Sequence, residues 1–179
     1  MLFIDLQPFG EFDSCMLELE KKEIESFYSV KCRILPAIQL PGMSYYPPRN
    51  RYRADSLLDF LETYKPGNIN FIVGLTAEDI SCTKEPHADY GIFGLGFMPG
   101  HSCVISTYRL GKNVSHAKLK ERLTKVVLHE LGHNFGLDHC STLNCLMEDA
   151  GGTIKSVDRE QKAVCSKCSE YLARIDRTD

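Results

Sequence analysis

The chain of 179 residues is 43% hydrophobic, which suits one domain of ordinary size with a core of its own. Its 21 basic and 24 acidic residues are interspersed and give a formal net charge of -3, so the composition provides no basic surface for nucleic acid. The N-terminus lacks the positively charged lead and long apolar run of a secretory signal, and no segment has the length of a membrane span. We therefore expect a single cytoplasmic domain, 1–179, that is a monomer with no nucleic-acid or membrane partner.

The first half of the chain alternates between predicted strands and predicted helices. The predicted strands are Leu2–Leu6, Lys31–Ile38 and Asn70–Leu75, and the predicted helices are Ser14–Phe27 and Asp55–Tyr64. Between them, the segment Pro41–Arg53 contains Pro47-Pro48 and paired tyrosines, which indicate a turn-rich loop. Because helices alternate with strands, we expect an α/β (α+β) fold with a mixed sheet.

The segment Tyr90–Arg109 combines apolar residues with four glycines and a Pro99-Gly100 turn, which predicts two strands joined by a turn. A strand here with a free edge would let an extended peptide add to it through backbone hydrogen bonds. A glycine-containing hairpin near the surface, without a binding role, explains the same pattern.

A long helix is predicted from Ser115, a good N-cap residue, through His133. His129 and His133 are four residues apart, so on a helix both rings project from one face and can reach one metal ion. Gly136 can take a positive φ and end the helix, which lets His139 return as a third ligand. The other three histidines are expected to be surface or hydrogen-bonded residues: His87, His101 and His116.

Three histidines leave one position of a tetrahedral zinc open for water, which is the arrangement of a catalytic zinc. Zinc lowers the pKa of such a water, and Glu130, beside the first histidine, is placed to take its proton and to pass it to a leaving amine. The motif HExxHxxGxxH therefore predicts a zinc-dependent hydrolase with Glu130 as general base and acid. A chance set of histidines on an amphipathic helix, or a metal site without activity, is the alternative.

Four cysteines follow the third histidine at spacings that suit a second metal ion. They are Cys140, Cys145, Cys165 and Cys168, of which the last two form a CxxC. In an intracellular protein such thiols indicate a tetrahedral four-cysteine zinc site with a structural role. Two disulfides, or a redox-active CxxC, are alternative interpretations.

The last part of the chain is predicted to form one further helix. Gly151-Gly152 is expected to break the chain before this helix, which is capped near Ser156 and runs to about Ile175. The CxxC would then lie within the helix or at a break in it. Cysteines that tie this helix to the loop after the third histidine would stabilise a segment with little core of its own.

The motif HExxHxxGxxH, followed by Met147 beyond the third histidine, resembles the metzincin clan of zinc peptidases. The continuation, with its cysteines and CxxC, resembles the archaemetzincin family over 40 contiguous positions, His129 to Cys168. The resemblance implies a catalytic zinc on the three histidines, a structural zinc on the four cysteines, and a turn at Met147 that packs beneath the catalytic metal. A plain core methionine would suit the same position.

The same resemblance implies a metzincin-like zincin fold. In that fold a cleft separates a larger N-terminal subdomain with the active-site helix, 1–136, from a smaller helical C-terminal subdomain, 137–179. Metzincins bind extended substrates along an edge strand, which implies that role for Gly94, Leu95, Gly96 and Phe97. Some metzincins also place a tyrosine shortly after the methionine. None occurs between Met147 and Cys165, so we expect no oxyanion stabilisation from that position.

We therefore expect a zinc metallopeptidase, with two zinc ions per chain, that hydrolyses a peptide or small protein. Endopeptidase and aminopeptidase action both stay open, because binding of a free amino terminus needs an acidic group, for which Asp138, Glu148 and Asp149 are candidates by proximity alone. One alternative is a catalytically silent zinc protein that binds peptides. A four-cysteine zinc module that binds nucleic acid is a second alternative, and the acidic segment Ser141–Asp158 disfavours it.

Overall fold

The computed structural model describes residues 2–64, 71–149 and 152–174, and these form six helices and nine strands. The helices are α1 (Ser14–Tyr28), α2 (Ala54–Tyr64), α3 (Thr107–Leu110), α4 (His116–Asn134), α5 (Ile154–Arg159) and α6 (Ser166–Arg174). The strands are β1 (Phe3–Phe9), β2 (Lys31–Ile34), β3 (Tyr45–Tyr46), β4 (Arg51–Arg53), β5 (Phe71–Thr76), β6 (Ile80–Lys84), β7 (His87–Ile92), β8 (Gly94–Gly96) and β9 (Ser102–Ser106). The α/β prediction is confirmed.

The main sheet has five strands in the order β2-β1-β5-β9-β8. The first four are parallel, as expected for strands that are buried and linked by helices, whereas β8 runs antiparallel to β9 at the edge. The register pairs Gly94 with Ile105 and Gly96 with Cys103, so one side of β8 is hydrogen-bonded and the other is an edge of this sheet. The mixed sheet predicted from the sequence is therefore present.

A second sheet, which was not predicted from the sequence, has four strands in the order β3-β4-β6-β7. The loop prediction for Pro41–Arg53 was wrong in part, because that segment contains β3 and β4 besides two short 3-10 turns. The two strands predicted within Tyr90–Arg109 correspond to β8 and β9, with Pro99-Gly100 in the connection between them, and the end of β7 also lies in this segment. Strands of two or three residues are defined by their partners, which lie elsewhere in the sequence, and local patterns do not predict them.

Strand β2 ends at Ile34, four residues before the predicted end at Ile38. Pro36 has no backbone N–H to donate, so it interrupts the ladder. Ile38 then makes one isolated bridge to Phe9. The strand predicted at Asn70–Leu75 corresponds to β5, and Asn70 itself lies outside the described residues.

Helix α4 crosses the molecule and begins as predicted, because the Ser115 side chain accepts a hydrogen bond from the backbone N–H of Lys118. The larger core packs α1, α4 and the C-terminal segment against the main sheet. Tyr28 of α1 is buried in this core, and its hydroxyl donates to the carbonyl oxygen of Leu128 at 2.5 Å. Since that carbonyl belongs to the residue before His129, the core fixes the helix next to the metal-binding motif.

The helix predicted from near Ser156 to about Ile175 is divided, because the chain forms α5 and α6 with a break between them, and the CxxC lies at this break, the second of the two arrangements left open from the sequence. The N-cap of α5 is Thr153, whose side chain accepts from the backbone N–H of Ser156. In the break, Gln161 donates to the carbonyl oxygen of Asn144 and Ala163 accepts from Leu146. These backbone groups bond to the loop that contains Cys145, which prevents a continuous helix. Gly151 and Ile175 lie outside the described residues.

None of the helices in the described ranges is both long enough and apolar enough to cross a membrane.

A buried carboxyl group links α1 to α4 and predicts how stability depends on pH. Glu20 accepts a hydrogen bond from the Thr124 hydroxyl at 2.8 Å, and its other oxygen, Oε2, is buried without a hydrogen-bond partner among the described residues. Burial raises the pKa of Glu20 to about 8, from 4.5. The folded state therefore keeps a proton that the unfolded state releases, and the free energy of unfolding falls as the pH rises through this window.

The change Glu20→Gln is expected to remove this pH-dependent fall in the free energy of unfolding, because a neutral amide carries no charge into the core. In urea unfolding, the variant should gain stability over the wild type as the pH rises from about 5 to about 8, by at most about 1.4 kcal/mol per pH unit. The exposed Glu18→Gln on the same helix is the matched control and should show no such trend. A constant difference between Glu20→Gln and wild type at all pH values would contradict the assignment.

Candidate active site and metal centres

The two histidines on α4 direct their ring nitrogens at one point. Their Nε2 atoms are 3.0 Å apart. The ring centroid of His139 lies 4.8 Å from that of His133 and 5.6 Å from that of His129. All three residues offer nitrogens within 4.8 Å of one another, which is the spacing of ligands on a single metal ion. The three-histidine cluster predicted from the sequence is thus assembled.

The chain returns to the histidines through a turn that ends α4. Gly136 has φ of 88°, a conformation that side chains with a Cβ rarely adopt. The N–H of Gly136 donates to the carbonyl oxygen of His133 at 2.8 Å, and the N–H of Leu137 donates to the carbonyl oxygen of Gly132 at 2.9 Å. These two bonds form a Schellman motif, which turns the chain sharply. The positive φ expected from the sequence at this glycine is confirmed, and it brings His139 to the other two rings.

Backbone carbonyls orient the two helical histidines. Nδ1 of His129 is 2.7 Å from the carbonyl oxygen of Leu146, and Nδ1 of His133 is 2.8 Å from that of Leu137. A ring that donates its Nδ1 proton in this way keeps the Nε2 lone pair for a metal. Burial lowers the pKa of His129 to about 4 and lowers that of His133 as well, so both rings are in the neutral, metal-binding form at pH 7.

Glu130 lies between the histidines and the edge strand β8, with its side chain buried. A methyl group on Gly94 would be 3.0 Å from its Oε1, and one on Gly96 would be 3.3 Å from its Oε2. The two glycines of β8 therefore make room for this carboxyl group. Burial raises the pKa of Glu130 to about 8.

Met147 packs directly against α4, next to its histidines. It is fully buried, and a methyl group on Gly132 would lie 2.5 Å from its Sδ. Its carbonyl oxygen accepts from the N–H of Cys140 at 2.6 Å, which ties the turn at Met147 to the segment that follows His139. The methionine thus supports both the helix and the returning chain.

The four cysteines form a second cluster close to this turn. All four Sγ atoms lie within 4.8 Å of one another, with Cys140 and Cys165 3.7 Å apart and Cys145 and Cys168 3.9 Å apart. A disulfide requires about 2.05 Å, whereas a tetrahedron with zinc–sulfur bonds of about 2.3 Å has sulfur separations of about 3.8 Å. None of the four forms a disulfide, so all four sulfur atoms are free to bind one metal ion as thiolates.

The histidines and Glu130 open into a cleft of about 360 Å³. One side is formed by Gly94, Leu95 and Gly96 of β8, and Met98 follows on the same side. Phe97, the fourth residue of the predicted edge, is 37% exposed, and its carbonyl oxygen accepts a hydrogen bond from the Asn134 side chain.

Several further residues of the cleft were not singled out from the sequence. They are Tyr90, Val126, Val157 and Glu160, which come from β7, from α4 and from the region of α5. No local pattern marks Tyr90, Val157 or Glu160, because they meet the histidines only when distant segments pack together. Val126 is one turn before Glu130 on α4 and could have been found from helical spacing alone. Among the three acidic candidates, Asp138 and Asp149 line the cleft, whereas Glu148 pairs with Arg159.

The fold and these ligand clusters define a zinc metallopeptidase, and comparison with known proteins gives the family. The sequence model of Peptidase family M54 matches residues 20–174, and the chain belongs to that family. An archaemetzincin from Haloquadratum walsbyi is 28% identical over 180 residues, which cover 96% of this chain and 99% of that protein. The archaemetzincin from Methanopyrus kandleri is 38% identical over 136 residues, 76% of this chain and 74% of its own length.

The fold is also that of a solved archaemetzincin. The crystal structure of the Methanopyrus kandleri protein superposes with a TM-score of 0.83 at 29% identity, over 97% of this chain and 94% of that one. The metzincin-like fold expected from the resemblance is therefore confirmed.

Proposed function

We propose that His129, His133 and His139 bind the catalytic zinc and that Glu130 acts as general base and then general acid in peptide-bond hydrolysis. The observation that supports this most directly is the convergence of three imidazoles beside one buried carboxyl group in an open cleft. Zinc held there would supply a Lewis acid that polarises the substrate carbonyl and acidifies water.

Glu130 has the environment that proton transfer requires. It lies next to His129 with its side chain buried against β8, and burial disfavours its charged form, so the carboxyl group can return a proton that it has taken up. Gly94 and Gly96 have no side chains, so the carboxyl group of Glu130 fits closely against β8. Glu130 therefore takes a proton from the attacking water and returns it to the leaving amine.

The substrate backbone is proposed to lie along β8. Gly94, Leu95 and Gly96 border the cleft, and the edge of β8 that is not paired with β9 offers backbone groups to an extended peptide. Phe97 follows this edge, and its backbone N–H and carbonyl oxygen are bonded to Ser102 and Asn134, so we propose that it contacts the substrate through its exposed ring. Such pairing would place the scissile carbonyl over the histidine cluster.

The four cysteines are proposed to hold a second, structural zinc. Their separations fit a tetrahedral thiolate site, and they connect the loop after His139 to α6. Two zinc ions per chain therefore have separate roles. The division into an N-terminal part, 1–136, and a C-terminal part, 137–179, the monomeric state and the cytoplasmic location stay predictions.

Digestion of a peptide library with product sequencing tests the proposed function. The zinc-loaded protein should cleave peptides, the chelated protein should not, and added zinc should restore cleavage. The ends of the products show whether single residues are removed or internal bonds are cut. A silent library with fully zinc-loaded protein would favour the peptide-binding alternative.

A further inference from the structure

A buried acidic side chain without a partner lines the cleft at the end of α5. Glu160 is 5% exposed, and its Oε1 is buried with no hydrogen-bond partner among the described residues. The residue is held in place through its backbone N–H, which donates to Ser156 at 2.9 Å. Buried polar atoms of native proteins are nearly always paired, so an unpaired carboxylate oxygen at a cleft wall indicates a missing partner.

The cations near Glu160 are already committed to other groups. Nζ of Lys125 bonds to Glu121 at 2.8 Å and to the carbonyl oxygen of Val157 at 3.0 Å. Arg159 pairs with Glu148 at 2.5 Å. Burial and the neighbouring Glu148 raise the pKa of Glu160 to about 7, with Lys125 and Arg159 opposing, so this carboxyl ionises readily when a positive charge approaches.

The rest of the cleft lining suits a cation on an aliphatic stem. Apart from Glu130, the described residues of the lining include the carboxyl groups of Asp138, Asp149 and Glu160, against one ammonium group, that of Lys84. Lys84 in turn lies over the ring of Tyr90, 5.3 Å from its centroid. Two valine side chains of the same cleft lining, Val126 and Val157, provide apolar surface for methylene groups, as amphipathic lysine and arginine chains require.

We propose that the cleft selects peptides with a positively charged amine or guanidinium group at one fixed position relative to the scissile bond, and that Glu160 pairs with this group. The inference rests on the proposed peptidase function and names its substrate class. The charge comes either from a lysine or arginine side chain or from a free amino terminus, since both present the same chemistry to a carboxylate.

The test compares peptides that differ in one charge. In a library digested by the zinc-loaded wild type, basic residues or free amino ends should be enriched at one position. A substrate with lysine there should exceed its norleucine and acetyl-lysine analogues in kcat/KM by about 10-fold or more, as expected for a hydrogen bond to a charged group. N-acetylated peptides that contain lysine, set against free peptides that lack it, distinguish the two sources.

The variant Glu160→Gln keeps the shape of the side chain and removes its charge. It should bring the lysine to norleucine ratio of kcat/KM close to one. The control Glu170→Gln removes an exposed charge on α6, outside the cleft lining, and should keep the wild-type ratio. An equal loss in both variants would overturn the proposal, because it would show a general charge effect.

Binding provides a second readout that does not depend on turnover. In the Glu130→Gln background, calorimetry should show tighter binding of the lysine peptide than of its norleucine analogue, and Glu160→Gln should abolish the difference. Cleavage without preference for a positive charge would overturn the proposal and leave the peptidase function intact. No cleavage of any peptide would instead count against the proposed function, and the binding comparison would then decide this inference alone.

Discussion

Replacement of Glu130 by glutamine is expected to lower kcat/KM for peptide hydrolysis by about 10²- to 10⁴-fold, the usual contribution of a positioned general base and acid. Glutamine keeps the volume of the side chain between α4 and the glycines of β8. It cannot take up the proton that the carboxylate takes. The three histidines are unchanged, so zinc content and thermal unfolding should equal those of the wild type. Activity assays together with metal analysis on the same preparation make the measurement.

Two further variants serve as controls for Glu130→Gln. His133→Ala should lose both activity and one zinc ion, because it removes a ligand whose Nε2 lies 3.0 Å from that of His129. Glu170→Gln, an exposed carboxyl on α6, should retain both. If Glu130→Gln cleaves peptides as fast as the wild type with zinc bound, the proton-transfer role of Glu130 is refuted.

Loss of the cysteine cluster is expected to produce the largest change in stability. Cys145→Ser removes a buried ligand, so the zinc content should fall from two to one per chain. The free energy of unfolding should fall by ~3 kcal/mol or more, because metal binding at such a site contributes directly to folding. Activity should fall too, since the carbonyl oxygen of Leu146, the next residue, accepts from His129. Zinc analysis and urea unfolding measure both effects.

The exposed thiol of Cys15 provides the matched control. Cys15→Ser should keep two zinc ions and the stability of the wild type. His133→Ala should keep the cysteine-bound zinc, which separates the two sites by their ligands. Two zinc ions in Cys145→Ser, or one in the wild type, would contradict the assignment of a second metal site.

Much of the catalytic centre could be predicted from the sequence because its geometry is local. Helical spacing places His129 and His133 on one face, and a glycine with positive φ brings back a residue three positions later. These relations depend on bond geometry within about ten residues, so no knowledge of the sheet is required. The same holds for Ser115 as the N-cap of α4.

The features that local patterns missed or left open depend on distant partners. A break at the CxxC was left open within the helix predicted from near Ser156 to about Ile175, and backbone bonds from Gln161 and Ala163 to the loop around Cys145 place that break between α5 and α6. The short strands β3 and β4 were missed in a loop prediction for a related reason, because only pairing with each other and with β6 makes them strands.

The sequence by itself determined the chemical class of this protein, since residue types at local spacings predict a helix with two potential zinc ligands, a third histidine and a cluster of thiols. Only the tertiary structure decided what surrounds them. It places the glycines of β8 against Glu130 and Met147 against Gly132. It also places in the cleft the carboxyl group of Glu160, whose Oε1 has no hydrogen-bond partner among the described residues. These contacts join segments far apart in the chain. They form because burial of apolar surface brings whole elements together, and no local sequence pattern predicts which elements meet.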